Sequence, residues 1–124
     1  MRRLIALALV IALLVSAGVV LAGSGPTINT DPKRVVQGGV VRVFGVVPGC
    51  ARGNIVILTS RAWSHKNLFA GVPAIFAEVR RRHRYSTRTT IPARRRPGLY
   101  AIHGRCGGGN LGVTAHIRVI RAPY

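Results

Sequence analysis

The feature that most constrains the fold is a two-residue alternation of apolar and polar side chains, without helical periodicity after Thr27. Apolar residues at every second position give a strand one face that packs in a core. The runs are Val40–Val46, Ile55–Thr59, Ile75–Arg80, Tyr85–Ile91, Leu99–Cys106 and a last strand through Val113, Ala115, Ile117 and Val119. Ser60–Ile75 lacks the pattern, which predicts an irregular connection or a short edge strand. The chain is therefore predicted to be all-β, a sandwich of about seven antiparallel strands.

A glycine-rich segment, GGGNLG at Gly107–Gly112, fits the pattern of a dinucleotide-binding loop. Such a loop needs a helix after it and an acid about twenty residues later, whereas VTAHIRVI alternates with period two and Glu78 is the last acid. The segment is therefore predicted to be the tip of a β-hairpin. Symmetry about Gly109 and Asn110 pairs Ile102 with Ile117, His103 with His116 and Cys106 with Val113.

The sequence offers little chemistry for catalysis or metal binding. Asp31 and Glu78 are its only acids, so neither paired-carboxylate catalysis nor a carboxylate-completed metal site is favoured. A cross-strand pair of His103 and His116 lacks a third ligand and makes a weak site. We expect no enzyme activity, no catalytic residue, no metal site and no cofactor.

The N-terminus predicts export. Two arginines, an apolar run and a small-residue exit form a signal peptide over residues 1–22, with cleavage after Ala22. The alternative is an uncleaved anchor, since Leu4–Ala22 is nearly long enough to span a bilayer. A lipid anchor is excluded because Ser24 stands where the modified cysteine would be. Residues 23–124 are expected to form one domain, secreted or associated with the cell envelope, which meets a membrane only if the N-terminal segment is retained.

The two cysteines are expected to form a disulfide. Cys50 and Cys106 are an even pair in a small exported domain, and neither has a second thiol nearby for metal binding. Closing a loop of this length removes unfolded-state entropy equivalent to about 4 kcal/mol.

Positive charge dominates the composition. Nineteen Lys and Arg face two acids, a net charge of +17, which implies polyanionic partners or tolerance of self-repulsion. A polyanion-binding edge is predicted from the cluster Arg80, Arg81, Arg82, Arg84, Arg88, Arg94, Arg95 and Arg96. The alternatives are a charged edge that prevents strand pairing, or codon bias. Only Tyr85 adjoins the cluster for stacking, so sequence-specific nucleic-acid recognition is not expected.

An aromatic loop is the other candidate surface. Trp63 and Phe69 lie in a segment bounded by glycine and proline, where an exposed indole would suit a protein partner or a sugar ring. The competing interpretation is that Trp63 packs as a lid over one end of the core.

Two long segments carry a family resemblance. VVQGGVVRVFGVVPGCARGNIVILTS and RYSTRTTIPARRRPGLYAIHGRCGGGNLGVTAHIRVI resemble small immunoglobulin-like (Ig-like) domains of secreted proteins in high-GC Gram-positive bacteria, over about Asp31 to Arg121. The resemblance implies an exported β-sandwich in which Cys50 pairs with Cys106 and Tyr100 packs in the core. It implies no reaction and no known ligand, and the segment RRRHR before Tyr85 departs from the family pattern.

Three functions follow as hypotheses. The first is an Ig-like domain that binds anionic envelope polymers through its arginines. The second is a structural or protein-interaction module whose charge serves solubility. The third is a cationic effector that acts on membranes.

Overall fold

The computed structural model describes residues 25–123, and these fold almost entirely into strands. In chain order the strands are β1 (Asn29–Asp31), β2 (Arg34–Val36), β3 (Val40–Val46), β4 (Ile55–Thr59), β5 (Leu68–Phe69), β6 (Val72–Glu78), β7 (Arg84–Thr90), β8 (Gly98–Cys106) and β9 (Gly109–Ile120). Among these residues, no helix has the length and hydropathy needed to cross a bilayer. The signal peptide predicted at residues 1–22 and its cleavage after Ala22 lie outside the described residues.

The strands form two sheets, one of three strands in the order β1-β3-β7 and one of six in the order β2-β9-β8-β4-β6-β5. The expectation of about seven antiparallel strands is corrected in two respects. Residues 25–123 contain nine strands, and β2 pairs with β9 in parallel. The parallel pairing arises because the chain crosses from one sheet to the other between Asp31 of β1 and Arg34 of β2. No hairpin turn joins β2 to β9, so β2 need not run antiparallel to it.

One hydrophobic core takes side chains from both sheets. Its fully buried members include Val41 and Val43 of β3, Val56 and Leu58 of β4, Ile102 of β8, and Ile117 and Val119 of β9. The alternation predicted for these strands is confirmed, because the residues between them point outward and are more exposed. Truncating Leu58, Ile102 or Ile117 to alanine is expected to cost about 2–5 kcal/mol.

The disulfide between Cys50 and Cys106 is present, as predicted. Its Cα atoms lie 6.2 Å apart, and it ties the β3–β4 connection to the last residue of β8. The same end of the molecule carries the β8–β9 hairpin, and we call it the disulfide end. The opposite end carries the β7–β8 connection. Tyr100, implied to be a core residue, is half-buried against the core, and its hydroxyl donates to the Arg96 carbonyl.

The β8–β9 hairpin turns two residues earlier than predicted. Cys106 pairs with Gly109, so Gly107 and Gly108 form the tip, and Gly107 has a positive φ of 63° that favours glycine. The register changes again at an irregularity between His103 and Arg105, so that His103 pairs with Thr114. The expected pairs are therefore wrong: Ile102 lies opposite Ala115, His103 opposite Thr114, and His116 opposite Ala101.

A short segment before β1 is fixed over β3 by three hydrogen bonds. The Thr27 amide donates to the Val46 carbonyl at 2.9 Å, the Val46 amide donates to the Thr27 hydroxyl at 3.0 Å, and the buried Tyr85 hydroxyl donates to the Thr27 carbonyl at 2.8 Å. Gly45 permits this approach, because a Cβ there would overlap the Thr27 carbonyl oxygen. Burial raises the pKa of the Tyr85 hydroxyl above its usual range.

Candidate polyanion-binding surface

The segment from Arg80 to Arg84, which we call the basic turn, connects β6 to β7 at the disulfide end. Arg81–His83 form a single 3-10 turn, and Arg82 and His83 adopt positive φ angles of 58° and 57°. Non-glycine residues rarely adopt this left-handed conformation, so other contacts must hold it.

One hydrogen bond closes the basic turn, and two more hold it against the β3–β4 connection. The Arg80 amide donates to the Arg84 carbonyl at 2.7 Å, and the Val47 amide donates to the His83 carbonyl at 2.8 Å. The His83 Nδ1 donates to the Cys50 carbonyl at 2.9 Å, which assigns the ring proton to that nitrogen. The basic turn is thus attached to the residue that forms the disulfide.

An open cleft of about 490 Å³ lies between the basic turn and the β3–β4 connection. Its lining contains five arginines and one acid: Arg52, Arg80, Arg81, Arg82, Arg84 and Glu78. Glu78 Oε1 lies 3.9 Å from Arg80 Nη2, with both side chains more than half exposed, so this ion pair contributes little. No other salt bridge occurs within residues 25–123, which leaves the remaining guanidinium groups of the cleft without a carboxylate partner. The cleft therefore carries a strong positive field.

A second cleft, of about 680 Å³, continues from the first across the outer face of the three-stranded sheet. It shares Arg80 and Arg84 with the first cleft and extends to Arg42 and Phe44 of β3. The Arg42 guanidinium lies over the Phe44 ring, 3.8 Å from its centroid, and donates to the Ser86 hydroxyl at 3.2 Å. The two clefts share arginines and form a basic surface, and Phe44 and Tyr85 are the aromatic residues in its lining.

The eight arginines predicted as one edge are divided between the two ends of the molecule, which corrects that prediction. Arg84 begins β7, and Arg94–Arg96 follow the end of this seven-residue strand. At about 3.3 Å per residue the strand separates the two groups by about 20 Å. Arg88 lies between them on the outer face, opposite Arg42.

Arg95 is also not a surface residue. It is half-buried, its Nη2 donates to the Trp63 carbonyl at 2.9 Å, and its own carbonyl accepts a hydrogen bond from Gln37 Nε2 at 2.8 Å. These contacts join three loops at the opposite end. Arg95 therefore has a structural role at this end of the molecule.

The aromatic loop proposed as a partner site does not present its indole. Trp63 is fully buried, and its Nε1 donates to the Leu58 carbonyl at 3.0 Å, so it packs over one end of the core. Phe69 is half-buried in β5, with the Arg105 guanidinium 5.3 Å from its ring centroid. Trp63 is thus a core residue, and the interpretation of it as a contact residue is wrong.

Sequence reasoning missed three residues of this surface: Arg42, Phe44 and Arg52. The alternation in Val40–Val46 puts Arg42 and Phe44 on the face opposite Val41 and Val43. A local pattern does not show which strand lies beside β3. The partners of Arg42 and Phe44 in β7 are Arg88 and Ser86, more than forty positions away in the sequence. Arg52 follows Cys50 in the loop that the disulfide draws to this end.

The histidines do not gather into a metal site. His103 lies opposite Thr114, whose hydroxyl is 3.4 Å from the His103 Nδ1, and His116 is displaced along the neighbouring strand. Over residues 25–123, no three side chains of His, Cys, Asp or Glu come together in a group that could hold a metal ion.

Comparison with known proteins identifies no family. No protein-family model matches the chain, and no curated protein matches it in sequence. The alkylpurine DNA glycosylase AlkC of Pseudomonas fluorescens, solved bound to DNA containing an abasic site analogue, is 14% identical with a TM-score of 0.48. That match covers 77% of this chain but only 29% of the glycosylase. Macromomycin is 12% identical with a TM-score of 0.46, over 79% of this chain and 100% of macromomycin. Similarity at this level gives no information on ligands.

Proposed function

We propose that this protein is an exported, non-enzymatic Ig-like domain that binds anionic polymers of the cell envelope at its disulfide end. The observation that carries the proposal is the cleft whose lining contains five arginines and a single glutamate. Guanidinium groups pair with phosphate and carboxylate oxygens through parallel hydrogen bonds, so such a cleft suits a polymer that repeats either group. The nearby disulfide fixes the loops that carry these arginines.

Three features support an exported Ig-like domain. Two sheets share one core, and a disulfide closes one end of it, as in some Ig-like sandwiches. Disulfides persist mainly outside the reducing cytosol, which is consistent with an extracytoplasmic protein. The N-terminal sequence of residues 1–22 adds the export signal expected for such a location.

Charge on this scale makes binding depend strongly on salt. Each arginine that neutralises a polymer phosphate releases condensed counterions, and each contact contributes about 0.7 to 0.9 to the slope of log affinity against log salt. With five such contacts, binding is expected to weaken by about 130- to 500-fold between 50 and 200 mM salt. The basic turn supplies three of the five arginines consecutively, Arg80, Arg81 and Arg82.

The test measures binding, as a function of salt concentration, to cell envelopes isolated from the organism that produces the protein. Short-chain polyphosphate serves as a defined second ligand. The protein is purified in oxidised form from an exporting host. The Arg80→Ser, Arg81→Ser, Arg82→Ser triple variant is compared with a control triple variant, Arg94→Ser, Arg96→Ser, Arg118→Ser. Both triples remove the same charge, and all three control side chains are exposed and lie outside the two clefts.

The basic-turn variant is expected to lose about 2 to 3 units of salt slope and to bind more weakly than the control variant at every salt concentration. Equal losses in the two triples would overturn the proposed site, because binding would then follow net charge alone. Binding that persists at high salt in all three proteins would overturn the proposed function in favour of a protein-interaction module.

A further inference from the structure

We propose that the second cleft binds single-stranded nucleic acid without sequence preference, with a base stacked at Phe44 and the backbone phosphates on the flanking arginines. The inference rests on the proposed function, since the cleft shares Arg80 and Arg84 with the polyanion site. It adds a ligand class to that function, namely a polyanion that carries a planar ring on each repeat.

The sheet register places a ring and its cation at the centre of this face. In the row across the three strands, Asn29 of β1 lies opposite Phe44 of β3, and Ser86 of β7 lies on the other side of Phe44. These flanking side chains are short and polar, so neither covers the ring as a larger residue would. A base that enters the cleft meets the Phe44 ring together with the Arg42 guanidinium that lies on it, and has amide and hydroxyl groups beside it.

Arg42 is fixed in a stacking position before any ligand arrives. Its guanidinium lies 3.8 Å from the Phe44 centroid and is held by the hydrogen bond to Ser86. A planar cation on an aromatic ring extends the surface on which a base can stack, since bases stack on guanidinium planes as well as on rings. The arrangement is pre-organised, which lowers the entropy cost of binding.

Further arginines surround the ring on the same face. Arg84 and Arg88 flank Ser86 along β7 at two-residue spacing, so all three side chains point outward. Arg88 lies directly opposite Arg42, a like-charge pair that costs stability unless an anion lies between the two groups. Asp31 lies on the other side of Arg42 but makes no ion pair within 4.0 Å in the described part of the chain.

These features together favour nucleic acid over a polymer of phosphate alone. A phosphate chain needs cations but gains nothing from Phe44, whereas a base gains about 1–3 kcal/mol from an aromatic platform. The ligand must also be single-stranded, because the bases of a duplex are stacked on each other and cannot reach the Phe44 ring. The volume of about 680 Å³ is within the range of pockets that accept molecules of nucleotide size.

The experiment measures fluorescence anisotropy of two labelled oligomers, oligothymidylate of about twelve residues and an abasic deoxyribose-phosphate oligomer of the same length, a length within known single-strand site sizes. Wild type is expected to bind oligothymidylate more tightly. Phe44→Leu, which keeps an apolar side chain, is expected to weaken oligothymidylate binding by about 5- to 150-fold and leave the abasic oligomer unaffected. The control is Phe76→Leu, at an exposed phenylalanine of β6 on the other sheet.

A second variant shows whether a loss of binding in Phe44→Leu comes from lost stacking or from a folding defect. Arg42→Lys keeps the charge but removes the planar group, so it is expected to weaken oligothymidylate binding selectively as well. Equal affinity of wild type for the two oligomers, or no selective loss in either variant, would overturn the inference. In that case salt-dependent polyphosphate binding that is lost in the basic-turn triple variant would still support the proposed function, so the two failures are distinguishable.

Discussion

Breaking the Cys50–Cys106 disulfide is expected to lower the unfolding free energy by about 4 kcal/mol at 25 °C. The two cysteines are 56 positions apart, so the bond closes more than half of the described chain and removes that loop entropy from the unfolded state. Unfolding entropy near 60 °C is about 2.1 cal/mol/K per residue, or about 0.2 kcal/mol/K over residues 25–123. The melting temperature should therefore fall by about 20 °C.

Thermal unfolding followed by circular dichroism measures this on three samples: the oxidised protein, the same protein after reduction with a phosphine, and the Cys50→Ala, Cys106→Ala double variant. Reduction leaves the side-chain volumes nearly unchanged, so agreement between the last two samples assigns the loss to the cross-link rather than to lost packing at the buried Cys50. Reductant should have no effect on the double variant. If the melting temperature fell by less than about 5 °C in both the reduced protein and the double variant, the reasoning would be refuted, because the loop would then already be constrained in the unfolded chain.

Two further predictions concern the contacts of Thr27. Burial raises the pKa of Tyr85 above its usual 10.0, so the stabilising contribution of the neutral hydroxyl is complete below about pH 10 and is lost as the pH rises beyond that value. Between pH 8 and pH 11.5 the melting temperature should therefore fall more steeply for wild type than for Tyr85→Phe. Equal slopes of melting temperature against pH in the two proteins would contradict this. Gly45→Ala should lose about 1–3 kcal/mol, since its Cβ would overlap the Thr27 carbonyl, whereas Gly49→Ala, with nothing within 4 Å, should be nearly neutral in the same urea titration.

Alternation predicted the long strands well because it reports directly which side chains are buried. Val40–Val46 and Ile55–Thr59 have the bounds predicted for β3 and β4, β7 is displaced by one residue at both ends, and β8 begins one residue earlier. The prediction for β6, Ile75–Arg80, is less accurate, because the strand spans Val72–Glu78. The short strands β1 and β2 were missed, since three residues cannot display a period, whereas β5 is the short edge strand given as one alternative for Ser60–Ile75. The parallel pairing of β2 with β9 depends on how the sheets are arranged, which no local pattern contains.

The candidate site was predictable only where its residues are consecutive. The run from Arg80 to Arg84 identified the basic turn, but Arg94–Arg96 were assigned to the same edge although a complete strand separates them. Counting that strand at about 3.3 Å per residue places the second group at the opposite end. Arg42 and Phe44 reach the surface through cross-strand register, and burial of Trp63 depends on how its loop folds back on the core.

The displaced hairpin also indicates how the β8–β9 connection can change in length. The observed pairing differs from the symmetric prediction by an even number of residues, so Ile102 and Ile117 still face the core although neither has its expected neighbour. Side chains alternate with period two, hence inserting or deleting two residues at the glycine tip preserves the inner face, whereas a change of one residue turns it outward. Length variants of this tip should therefore be tolerated in steps of two.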